Sequence, residues 1–96
     1  MGLLGMAVIS LEKGWIQVNA KLCEILGYSQ EELIELSWAE ITYPDDLDAD
    51  ETEFERVLAG EIEGYSIDKR FIRKDGNVIY ASISEIRKRY FWAVNF

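Results

Sequence analysis

The sequence contains no histidine. That absence excludes His-ligated haem, histidine-bearing zinc sites, His-based catalytic triads and a phospho-histidine acceptor within these residues. A single cysteine, Cys23, leaves no internal disulfide framework to draw. Bases are scarce, 10 against 18 acids, and the net charge of −8 repels nucleic acid and anionic membrane. No apolar run approaches the length of a bilayer span, and the first residues lack the basic start and long apolar centre of a signal peptide. The expectation is a cytoplasmic segment with no nucleic-acid partner and no direct membrane contact, in a parent that is either free or membrane-anchored.

What is present is globular. Apolar residues make up 49% and charged residues 29%, too apolar for disorder. Ninety-six residues allow one domain, 1–96, in which any internal ligand is small and closely enclosed. The charge is uneven: residues 1–64 carry a net −12 and residues 65–96 a net +4. The densest acidic run is Asp45, Asp46, Asp48, Asp50, Glu51, Glu53 and Glu55. It fails as a calcium loop, because Glu51 stands where the turn glycine belongs. It reads instead as a helix whose first turns place carboxylates at the positive end of the helix dipole.

Local signals order the chain. Met6 to Leu11 reads as a strand, Lys13-Gly14 as a turn and Trp15 to Val18 as a returning strand. Asn19 caps a helix that ends at Gly27, with Leu22, Ile25 and Leu26 at helical spacing. Ser29 and Glu32 form a capping box for a short second helix. Ser37 to Ile41 makes one turn around Trp38. Pro44 precedes a longer helix, Asp45 to Ala59, with an inner stripe of Leu47, Phe54, Val57 and Leu58. From Tyr65 the pattern alternates, Asp75-Gly76 signals a hairpin, and two further strands run over 77–86 and 90–96. The expected fold is α+β, an antiparallel sheet with short helices on one face.

Asn19 with Gly27-Tyr28, then Pro44-Asp45-Asp46, then Arg73-Lys74-Asp75-Gly76, in this order and spacing, resemble the PAS family, especially sensory modules of bacterial sensor kinases and cyclic-dinucleotide regulators. The resemblance covers nearly the whole chain. It implies a five-stranded antiparallel sheet cupping small helices around an internal pocket, in a non-catalytic module. Such a module passes a change to an output domain of the parent, a histidine kinase or a diguanylate cyclase or phosphodiesterase. Two departures stand out. The hairpin Ile86 to Tyr90 is shorter than in relatives, and the exit motif and relay helix of the family lie outside this sequence.

The resemblance also tests cofactors. In the flavin-binding light-oxygen-voltage subfamily a photoreactive cysteine occupies the position that alignment on Gly27-Tyr28 gives to Trp38, and a flavin-contacting glutamine the position of Thr42. The flavin's amide partners would fall at Phe71, Ala81 and Asn95, of which Asn95 alone is an amide. A thioether adduct needs a thiolate beside the ring, so a flavin photoreceptor is disfavoured and no cofactor is expected. Cys23, between Leu22 and Ile25, reads as a small core residue.

Two constellations remain. Alternation places Val8, Val18, Leu22, Trp38, Ile41, Thr42, Lys69, Phe71, Ile79, Ala81, Ile83, Phe91, Ala93 and Asn95 on an inner face. This either encloses a small organic ligand, with Lys69 meeting a carboxylate, or is filled by its own side chains, with Lys69 running out to the rim. The bulk of Trp38 and Phe71 favours the filled interior. The same alternation places Tyr90, Trp92, Val94 and Phe96 on the outer face beside Val78 and Tyr80, an aromatic stripe expected to form a homodimer interface. Function is thus expected to be sensing and dimerisation on behalf of a separate output domain, the alternative being a ligand-free interaction module.

Overall fold

The computed structural model describes residues 4–86 and, through their backbone, 91–95. Eight elements follow in order: β1 (Gly5–Ile9), β2 (Trp15–Val18), α1 (Ala20–Leu26), α2 (Gln30–Ile34), α3 (Pro44–Leu58), β3 (Gly64–Ile72), β4 (Val78–Ile86) and β5 (Phe91–Asn95). The strands form one five-stranded sheet in the order β2-β1-β5-β4-β3, every neighbouring pair antiparallel. The chain thus closes β5 between the first hairpin and the last, and the α+β architecture expected from sequence is the one found.

The helix ends are chemically determined. The Asn19 side chain accepts from Leu22 N at the start of α1, and Gly27 closes it at φ 80, a left-handed conformation that a side chain would strain. Ser29 and Glu32 make both halves of the capping box on α2. Pro44 occupies the first turn of α3, where its missing N–H costs nothing. Asn19 does more than cap: its Oδ1 also accepts from Met6 N at 2.9 Å and its Nδ2 donates to the Leu4 carbonyl at 2.9 Å. One side chain therefore ties α1 to β1.

Two turns differ in detail from expectation. β1 ends at Ile9, because the Ser10 hydroxyl and backbone both engage Gly14 and begin the turn there. In the β3–β4 hairpin only Gly76 takes positive φ, at 90. Gly76 N donates to Arg73 O, Arg73 N to Asn77 O, and the Asp75 carboxylate accepts from Asn77 N. That is the three-residue loop with a left-handed glycine at its end, not a two-residue Asp-Gly turn.

The core lies between the sheet and the helices. Leu22, Leu26, Leu33, Trp38, Phe54, Phe71 and Ile83 are completely buried. Trp38 and Phe54 meet edge to face with ring centroids 5.3 Å apart, a geometry worth about 0.5–1.5 kcal/mol beyond the area buried. On β4 the inward set Ala81, Ile83, Glu85 alternates with the exposed Ser82, Ser84 and Ile86. On β1 the inward residues are Gly5, Ala7 and Ile9, so Val8 lies on the outer face, opposite to expectation.

Candidate functional site

The interior of the sheet is not wholly apolar. Asp50, Thr42, Lys69 and Glu85 are all buried there. Each arrives from a different element. Asp50 is one turn from Leu47 and one turn from Phe54 on α3, so it shares their inner stripe; Leu58, expected on that stripe, is instead partly exposed. Lys69 stands between Ile67 and Phe71 on the inward parity of β3, and Glu85 follows Ile83 on the inward parity of β4. Thr42 lies in the segment before α3, which is bonded along the edge of β3: Ile72 N donates to Ile41 O and Tyr43 N to Arg70 O, each at 2.8 Å.

These groups are wired together. Lys69 forms an ion pair with Asp50 in which neither side chain reaches solvent. Its Nζ also donates to Thr42 Oγ1 at 2.9 Å, and that hydroxyl donates to the Trp38 carbonyl at 2.7 Å. The Lys69 ammonium lies 4.7 Å from the Trp38 ring centroid and 4.6 Å from that of Phe71, both within cation–π range. Tyr65, on β3, donates its hydroxyl to the other Asp50 oxygen at 2.6 Å. Burial pulls the Lys69 pKa down to about 8 against the opposing pull of Asp50. Burial, then the Asp50 charge, raises that of Tyr65, which keeps its hydroxyl a donor.

Glu85 is the exception. It is 2% exposed and neither carboxylate oxygen has a hydrogen-bond partner among the described residues. Burial, then the charge of Asp50, pushes its carboxyl up to about 7. The backbone makes room for it closely. A Cβ on Gly64, which pairs with Ile86, would stand 2.3 Å from the Glu85 carbonyl oxygen, so only glycine fits there.

A second, outer tie runs from α3 to the same strand. Asp46 accepts from the Arg70 guanidinium through both oxygens, at 2.8 and 2.9 Å, and from Arg70 N at 2.8 Å. The Arg70 guanidinium, through its side-chain hydrogen bonds, holds the Asp46 carboxyl below its ordinary value. Lys13, at positive φ in the β1–β2 turn, pairs with Glu51 on the same helix. α3 is therefore fastened by charge at three points.

The residues expected to line a pocket are brought together. Trp38, Ile41, Thr42, Lys69, Phe71, Ala81 and Ile83 are buried and Ile79 partly so. Lys69 does not run to the rim, since Asp50 compensates its charge inside. Concavities of about 250 Å³ beside Met6, Val8 and Gln17, and about 380 Å³ beside Gly27 and Arg73, involve none of these residues. Trp38, at the position where flavin photochemistry needs a thiol, is spent on packing against Phe54, and burial raises the Cys23 thiol above its ordinary value.

On β5 the backbone is paired on both sides. Trp92 pairs with Ala7 and Glu85, and Val94 with Gly5 and Ile83, all on the inward parity. Phe91, Ala93 and Asn95, assigned to the pocket, pair instead with Val8, Met6, Ile86, Ser84 and Ser82 of the outward parity. The side chains of Phe91, Trp92, Ala93, Val94 and Asn95, and Tyr90 and Phe96 altogether, lie outside the described residues. Of the expected interface, Tyr80 is described and is 75% exposed.

The PAS fold family matches residues 16–86. The chain belongs to this family. Its overall fold agrees with solved PAS structures. A domain of a sensory box sensor histidine kinase/response regulator from Geobacter sulfurreducens superposes with a TM-score of 0.80 at 15% identity, covering 97% of this chain and 82% of that one. The PAS domain of the Cronobacter turicensis RpfR quorum-sensing receptor, in complex with BDSF, gives a TM-score of 0.78 at 10% identity, over 98% and 91%. In sequence this PAS chain is 42% identical over 81 residues to the probable diguanylate cyclase DgcE of Escherichia coli. That match takes in 84% of the chain but 7% of the length of DgcE. Among the described residues no helix is long and apolar enough to cross a membrane.

Proposed function

We propose that this PAS chain is a sensory and regulatory module acting on a separate output domain, of the cyclic-dinucleotide or histidine-kinase kind, in a cytoplasmic setting. Its kinship with a small part of DgcE and with a sensor-kinase domain supports that class. The observation that carries the mechanism is the solvent-free ion pair between Lys69 and Asp50. It fastens α3 to the sheet through charge. Such a contact is sensitive to any change in local charge, because a low-dielectric surrounding magnifies it. An event inside the domain is thereby felt at α3 and passed on, without chemistry being performed.

The interior around Trp38, Phe54 and Phe71 is occupied by side chains, which favours signalling by internal charge over enclosure of a bulky organic ligand. A small ligand with a hydrogen-bond donor is the second reading, favoured by the unpartnered carboxylate of Glu85. Native mass spectrometry of the freshly purified chain tests the choice. The apoprotein mass is expected; a stoichiometric added mass lost in Glu85→Gln would establish the ligand reading instead.

Self-association belongs to the proposal as well. Tyr80, Val78 and Ile86 expose apolar surface along one face of β4, with Met6 exposed on the outward parity of β1. A second copy is the occupant expected there, in the manner of a homodimeric module.

A further inference from the structure

The buried cluster holds more negative charge than its cation offsets. Asp50 and Glu85 are two carboxylates, both closed to solvent, and Lys69 is paired with the first of them. If both were ionised the interior would keep a net negative charge, an arrangement that proteins avoid by protonating one group. Asp50 accepts from both Lys69 and Tyr65. Among the described residues, Glu85 accepts from nothing. The proton therefore belongs on Glu85.

We propose that Glu85 is a proton-operated release for α3. Protonated, it is neutral and leaves Asp50 undisturbed in its pair with Lys69. Ionised, it repels Asp50 across the interior, draws water toward the sheet and loosens α3 from β3 and β4. The input is the proton, and the moving part is the helix.

Among the described residues, the surroundings hold nothing that cancels this effect. From β3 come Tyr65, paired in register with Glu85, and Lys69, engaged by Asp50. From α3 come Asp50 and, near Tyr65, Glu53, whose charge is turned to Arg56. The inward residues of β4 before it, Ile79, Ala81 and Ile83, are apolar. β5, which meets Glu85 through Trp92, has no ionisable residue between Phe91 and Asn95. The Glu85 carboxyl is raised to about 7, while the Lys69 ammonium, lowered to about 8, is still mostly charged at the midpoint of Glu85.

This deepens the sensory reading and rests on it only for the downstream response. The test reads the chain itself. Carbon-13 labelled at the glutamate carboxyl and nitrogen-15 labelled, it is titrated from pH 5 to 8 by NMR. The expected result is a Glu85 carboxyl midpoint near neutrality, with the amides of residues 50–54 on α3 shifting at the same midpoint. In Glu85→Gln the α3 step is expected to vanish. A Glu85 midpoint below about 5, in the ordinary carboxylate range, would overturn the proposal. So would a neutral midpoint that leaves the α3 amides unmoved, and both are read on the wild type even if the variant fails to fold. An output domain that ignores the titration would count against the sensory reading and leave the proton release standing.

Discussion

Tyr65 of β3 and Lys69, two repeats of the pleat further along the same strand, grip the two oxygens of the same Asp50 carboxylate, the hydroxyl at 2.6 Å and the ammonium alongside. Each inward residue of the strand that can hydrogen-bond is thus turned to one helix residue. Of the three charged ties on α3, this is the one closed to solvent.

The cluster sets a direction for pH dependence. The folded-state pKa of Glu85, about 7, lies above its ordinary value of 4.5, so between these values the folded chain binds the proton more tightly. Stability from this group is therefore full below pH 4.5 and lost as pH rises through 7, by on the order of 3 kcal/mol. Asp46 acts in the other direction: its lowered pKa gives stability that is lost only as pH falls below the carboxylate range. Urea midpoints measured from pH 5 to 8 should fall for the wild type, and the slope should disappear in Glu85→Gln.

Asn19→Ala should cost about 2 kcal/mol, more than an isolated cap, because the side chain also bonds Met6 on β1 and Leu4 just before it. Asn19→Ser, which keeps a cap acceptor but cannot span to both strand groups, should recover roughly half. Thermal unfolding of the two variants checks this, and full recovery in Asn19→Ser would mean that the bonds to Met6 and Leu4 contribute nothing.

Two glycines should fail for different reasons. Gly64→Ala meets the Glu85 carbonyl at 2.3 Å and must push β3 from β4, costing about 1–3 kcal/mol. Gly76→Val meets no atom within 4 Å, yet places a branched side chain at φ 90 and should cost about 1–2 kcal/mol through backbone strain. Chemical denaturation gives both values. The Glu85 carboxyl resonance should move in the first variant and stay in place in the second.

The outer face of β4 carries a prediction of its own. Tyr80→Glu should leave stability within about 0.5 kcal/mol, since the residue is 75% exposed, while weakening self-association. Sedimentation velocity with parallel circular dichroism checks both. A folded Tyr80→Glu that associates as the wild type does would contradict the role given to this face.

How much of this was legible depended on range. The caps at Asn19, Ser29 and Gly27 and the start at Pro44 are decided by residues within one turn, and they read correctly. The inward set on β4 also read correctly, because Ser82 and Ser84 mark the wet side against Ala81 and Ile83. Glu85 carries the same parity as Ile79, Ala81 and Ile83, so its burial was signalled by a charge in an apolar register. Asp50 was signalled likewise, by its spacing of three from Leu47 and four from Phe54. Both were hidden by treating acids as solvated by default. The pairing of Lys69 with Asp50 joins a strand to a helix 19 residues earlier, and no local pattern encodes it. The register of β5 was not legible either: Trp92 and Val94 alternate with Phe91 and Ala93, both sets are apolar, and no local pattern chooses how the strand pairs with β1 and β4.

The claim that α3 is fastened to the sheet by a buried charge pair is tested most directly by a double-mutant cycle on Asp50 and Lys69. Asp50→Asn and Lys69→Met should each destabilise by about 3–5 kcal/mol, since each strands a charge in the interior. The double variant should recover most of that loss, with α3 amide exchange accelerated relative to the wild type at equal global stability. Single losses below about 1 kcal/mol that simply add in the double variant would contradict it, because they would place the two charges in water and apart.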